Sequence, residues 1–67
     1  MASDERVLIV GMGYVGLPLA LSFIRGGVTV LGLDIDQSKV DALNGGRSYL
    51  GHISDEDISK AVATGRF

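Results

Sequence analysis

"VGMGYVGLPLA", residues 10–20, places Gly11, Gly13 and Gly16 within six positions, between one apolar run and a second that opens on Leu17 and Pro18. Upstream, "RVLIV" (6–10) is short, continuous and rich in β-branched residues, the pattern of a strand buried on both faces of a parallel sheet. Downstream, Tyr14 to about Arg25 is helix-forming and closes on Gly26 and Gly27, which suit a left-handed helix end. Glycines in the pattern G-x-G-x-x-G at such a junction have separate physical uses. The first permits a tight turn out of the strand, the second lets the main chain approach a pyrophosphate with no Cβ in the way, and the third lets helix and strand pack closely. The helix start adds N–H groups and the positive end of its dipole. Gly11, Gly13 and Gly16 therefore predict a dinucleotide-binding turn.

The sequence that follows strengthens the expectation. "VTVLGLD" (28–34) reads as a second buried strand, so strand, helix and strand make a βαβ unit, whose crossover is right-handed in nearly all cases. Asp34 closes that strand 18 residues beyond Gly16, placed to accept hydrogen bonds from both adenosine ribose hydroxyls. A carboxylate there repels a 2′-phosphate and no arginine follows it closely, which favours NAD over NADP. Pro18 lies about a turn into the helix, near enough to its start to limit the loss of one backbone donor. Asp36 is placed to cap a short helix from Gln37 to Asn44, ended by Gly45 and Gly46. Ser54 with Asp57 has capping-box spacing for a third helix running to about Ala63 and stopping at Gly65.

Composition bounds the rest. At 67 residues the chain makes at most one small domain, and a chain of about 60 residues buries only about 60% of its unfolded surface. With no cysteine, neither disulfides nor thiolate metal ligands are available. A net charge of −2 with both signs interspersed argues against a nucleic-acid surface or a polybasic membrane anchor. "MASDER" lacks the basic start of a secretory signal, and the apolar runs are too short to span a bilayer, so a cytoplasmic location is expected. Asp55, Glu56 and Asp57 read as first-turn dipole compensation rather than a metal site. "DIDQSK" imitates the opening of a calcium loop but has Lys39 where the glycine belongs, and no metal site is expected. His52 has no catalytic partner in sequence and reads as a loop or packing residue. No G-x-x-x-x-G-K phosphate loop occurs.

"GMGYVGLPLA" followed by "VLGLDIDQSKVDALNGGRSYLGHIS" resembles the N-terminus of the UDP-glucose/GDP-mannose dehydrogenase family, from Arg6 to Phe67. The "GGRSYLGHIS" stretch resembles most the UDP-N-acetylglucosamine or N-acetylmannosamine 6-dehydrogenase branch. The resemblance implies an α/β fold class, here a truncated Rossmann βαβ unit of two parallel strands and about three helices, with NAD as cofactor. It implies that Gly11, Gly13, Tyr14, Val15 and Gly16 line the pyrophosphate, that Asp34 holds the ribose, and that Lys39 lies near the adenosine end. Met12 matches a position that varies, and Arg47, Ser48 and Tyr49 lie on a loop passing near the cofactor side of the cleft. Related enzymes oxidise a sugar C6 alcohol to a carboxylate with a cysteine nucleophile and a lysine. Neither motif is matched here, so residues 1–67 are expected to hold the N-terminal part of the cofactor domain, with no catalytic residue and with nucleotide-sugar binding confined to the full-length enzyme.

The helix pattern points to unmet burial. Val15, Leu19 and Phe23 form one stripe and Leu17, Leu21 and Ile24 another, so the helix is apolar nearly all round. Both strands would be sheet edges, which template pairing. A homo-oligomer, most simply a two-fold dimer extending the sheet, or a loosely folded chain is expected. The alternative to a dehydrogenase segment is a non-catalytic, self-associating βαβ module with weak or no nucleotide binding.

Overall fold

The computed structural model describes residues 5–67; the first four residues, read above for a targeting signal, lie outside it. Five elements follow in the order β1 (Arg6–Val10), α1 (Gly16–Arg25), β2 (Thr29–Leu33), α2 (Gln37–Asn44) and α3 (Asp55–Ala63). The strands pair in parallel, with Arg6 opposite Thr29 and Val10 opposite Leu33. This is the two-stranded, three-helix βαβ unit expected from the sequence.

Registered residues of a parallel pair share a sheet face. Val7, Ile9, Val30 and Gly32 therefore lie on one face, and Leu8, Val10, Leu31 and Leu33 on the other. The first face meets the helices: Ile9 and Val30 are buried with Leu17, Ala20, Leu21 and Ile24 of α1, Leu43 of α2, and Ile58 and Ala61 of α3. The second face is bare, with Val10 76% and Leu31 63% exposed. The expectation of strands buried on both faces is thus corrected. Continuous apolar runs announce two covering layers, and residues 5–67 supply one.

The apolar girdle of α1 divides in the same way. Leu17, Leu21 and Ile24 pack inward, whereas Val15 and Leu19 of the other stripe are exposed and Phe23 is half-buried. The strand edges also differ from expectation. The Val30 N–H on β2 donates to the Arg66 carbonyl at 2.7 Å, so the segment at Arg66 lies along the outer edge of β2, and among the described residues only β1 keeps a fully open edge.

Capping follows the sequence closely. The Asp36 carboxylate accepts from the Ser38 N–H at 2.9 Å, and the Ser54 hydroxyl accepts from the Asp57 N–H at 3.1 Å, the first half of a capping box. Of the two glycines after α1, Gly27 supplies the positive φ, +87°, and Gly26 does not. No helix among the described residues is long and apolar enough to cross a membrane.

Candidate functional site

The chain leaves β1 through Gly11, whose φ of +92° is a conformation that a side chain disfavours. Its N–H donates to the Leu33 carbonyl at 2.7 Å, so the turn stays tied to the end of β2. Residues 13–15 form a bend and turn, and α1 begins at Gly16 rather than at Tyr14. Val15 is the N-cap. Pro18 therefore falls in the first turn, where missing donors have little consequence.

The three glycines divide their tasks. A Cβ on Gly16 would stand 1.8 Å from the Gly11 carbonyl oxygen and 3.4 Å from the Ile9 side chain, so this glycine permits the helix to press on strand and turn. A Cβ on Gly13 would meet nothing within 4 Å; the space beside it is open. No side chain caps the start of α1, and its first turn holds no acid, so nothing within the helix itself compensates its positive end. An open backbone approach beside an uncapped helix start suits a diphosphate.

Asp34 reaches back to this turn from the end of β2. One carboxylate oxygen accepts from the Met12 N–H at 2.8 Å, the other from the Asp36 N–H at 2.8 Å. The Met12 bond, then the Asp36 bond, with Lys39 adding to them, hold the carboxyl below its ordinary range. The group stays ionised at neutral pH, and its hold on the turn is lost only as pH falls through that depressed value. A carboxylate oxygen accepts two hydrogen bonds, so each retains capacity for a ribose hydroxyl.

Gly13, Tyr14, Ser38, Lys39 and Tyr49 line one cleft beside the glycine turn. The Lys39 ammonium lies 5.7 Å from the centre of the Tyr49 ring. Tyr14 is 77% exposed and stacks on His52 at 6.2 Å, which gives His52 a loop contact. Among the expected site residues, Gly13, Tyr14 and Lys39 thus share the cleft; Gly11, Gly16 and Asp34 shape the turn beside it; the Val15 side chain faces outward.

Met12, whose position the resemblance implies is variable, lies at the centre of the turn's contacts. Its side chain is 2% exposed, and a Cβ on Gly32 would come 2.7 Å from the Met12 sulfur. Its N–H is held by Asp34, and its carbonyl accepts from the Tyr49 hydroxyl. Gly32, unusual inside an apolar strand, was the available sign that a side chain crosses the sheet there.

Two comparisons with known proteins place this glycine turn in a family. The sequence profile described as "UDP-glucose/GDP-mannose dehydrogenase family, NAD binding domain" matches residues 5–67. A UDP-N-acetyl-D-mannosamine dehydrogenase of Escherichia coli K12 is 38% identical over 62 residues, covering 92% of this chain and 14% of that protein. Proteins of the same name from Campylobacter jejuni and Pyrococcus horikoshii are 40% and 34% identical, covering 75% and 85% of this chain and 12% and 13% of theirs. The chain thus spans about one-seventh of the length of the curated relatives it matches. The chain belongs to the UDP-glucose/GDP-mannose dehydrogenase family, matches its NAD-binding domain, and takes NAD as its cofactor.

Proposed function

We propose that this chain binds the ADP portion of NAD across the ends of β1 and β2, on behalf of a nucleotide-sugar dehydrogenase. Gly11, Gly13, Tyr14, Val15 and Gly16 line the diphosphate, the Asp34 carboxylate takes the adenosine ribose hydroxyls, and Lys39 stands at the adenosine end. Bound NAD supplies a hydride acceptor. The observation that carries this reading is the 2.8 Å bond from the Met12 N–H to Asp34, which puts the acid ending β2 beside the glycine turn. The enzyme so served oxidises a UDP-sugar C6 alcohol to a carboxylate, in the cytoplasm, for polysaccharide biosynthesis; the names of the relatives support the part of this reading that makes it a dehydrogenase of a UDP-sugar. Residues 1–67 contain no cysteine, so the reading gives them cofactor binding and no turnover.

Asp34 tests the ribose assignment. The unsubstituted chain is expected to bind NAD more tightly than NADP, because a second negative charge at the ribose faces the carboxylate. Asp34→Asn keeps an oxygen for the Met12 N–H but loses the charge, and should weaken NAD at least tenfold while leaving NADP nearly unchanged. Calorimetric titration of both chains with both dinucleotides reads the ratio; equal NAD affinity in chain and variant removes the assignment. The proposal also includes a two-fold dimer through the open β1 edge and the bare Leu8–Leu31 face, which a compact monomer in sedimentation velocity would exclude.

A further inference from the structure

We propose that Tyr49 is a positioning residue for dinucleotide binding, acting through the Met12 peptide rather than on the cofactor itself. This rests on the NAD-binding reading above. The glycine turn has two strong polar anchors at Met12: the Asp34 carboxylate accepts from its N–H at 2.8 Å, and the Tyr49 hydroxyl donates to its carbonyl. That carbonyl belongs to the peptide whose N–H is Gly13, the residue with open space beside it. The orientation of the Met12–Gly13 peptide therefore fixes which way Gly13 faces the cleft. Glycines on either side of Met12 leave that peptide free to rotate unless something outside the turn holds it.

Tyr49 is able to hold it because its own loop is fixed. The Ser48 N–H donates to the Asp55 carboxylate at 2.8 Å, and the Ser48 hydroxyl donates to the Leu50 carbonyl at 3.0 Å. Leu50 and Ile53 are buried in the core, and the Arg47 N–H donates to the Ala42 carbonyl at 2.8 Å. The loop between α2 and α3 is thus braced at both ends. Partial burial, and then the charges of Asp34 and Asp36, raise the Tyr49 phenol, so it remains a donor throughout the neutral range. Lys39, over the Tyr49 ring, ties the clamp to a second residue of the cleft.

Tyr49→Phe removes the hydroxyl and leaves the ring, its packing and its contact with Lys39. The expected result is a threefold to tenfold loss of affinity for NAD and for ADP, both of which carry the diphosphate, with adenosine affinity unchanged. Far-UV circular dichroism should match the unsubstituted chain. A ring-fluorinated tyrosine at position 49, which ionises more readily and keeps the native shape, gives a second reading should the phenylalanine variant fail to fold: NAD affinity should fall as that phenol ionises. If the unsubstituted chain binds NAD and Tyr49→Phe binds it equally well, the positioning role is wrong and the NAD reading stands. If adenosine weakens as much as ADP, Tyr49 contacts the nucleoside and the proposal fails. If the unsubstituted chain does not bind NAD, both readings fail.

Discussion

Gly16→Ala is expected to abolish the folded state. The new Cβ would lie 1.8 Å from the Gly11 carbonyl oxygen and 3.0 Å from the carbon that bears it. Neither is the movable end of a side chain. Gly11 cannot withdraw, since its N–H is bonded to the Leu33 carbonyl at 2.7 Å and its φ is +92°. Relief requires moving α1 off β1, and with it Leu17, Ala20, Leu21 and Ile24, the largest buried group in the chain. Losses above about 4 kcal/mol are the mark of such forced repacking. Small domains hold only about 0.05–0.15 kcal/mol per residue of net stability, so a chain of 67 residues has little to spare. Thermal unfolding followed by circular dichroism should show no cooperative transition. A melting point within a few degrees of the unsubstituted chain would mean that helix and strand do not meet as described.

Gly13→Ala, three residues away, should have the opposite effect. No atom lies within 4 Å of the added Cβ, and Gly13 does not have a positive φ. The fold should tolerate the methyl group, and loss of unfolded-chain freedom can even stabilise by about 0.4–1 kcal/mol where the conformation is compatible. Binding should not tolerate it, since the space it enters is the one assigned to the diphosphate. NAD affinity should fall at least tenfold, equivalent to about 1.4 kcal/mol, with a melting temperature equal to or a few degrees above that of the unsubstituted chain. Full retention of NAD affinity by a folded Gly13→Ala chain would move the diphosphate away from this turn. Together the two alanine variants separate the packing glycine from the binding glycine.

Much of this arrangement was legible in the sequence, because it depends on local signals. Glycine spacing at a strand–helix junction and the Asp36 and Ser54 caps act within a few residues of themselves, and Asp34, which acts 22 positions away, is found by its fixed place at the close of the next strand. Element boundaries shifted by one or two residues, as at the start of α1, because the glycine turn uses Tyr14 and Val15 before the helix begins.

The features missed are those set by contacts distant in sequence. Met12 and Tyr49 are 37 positions apart, and nothing local to either announces their bond. Exposure of Leu8, Val10, Leu31 and Leu33 was likewise hidden, because a continuous apolar run fits two covering layers whether or not both are present. The segment at Arg66 closed part of an edge expected to be open, through one main-chain bond to Val30 that carries no sequence signature. Local chemistry therefore revealed the turn, and tertiary contacts decide how firmly it is held.

Amide chemical-shift mapping of the isotopically labelled chain during titration with NAD bears most directly on the whole account. Saturable shifts are expected mainly at Gly11–Leu17 and Asp34–Lys39, with smaller ones at Tyr49, and little change along α3. Shifts clustered instead on the bare Leu8–Leu31 face, or no saturable shift at any NAD concentration, would contradict it.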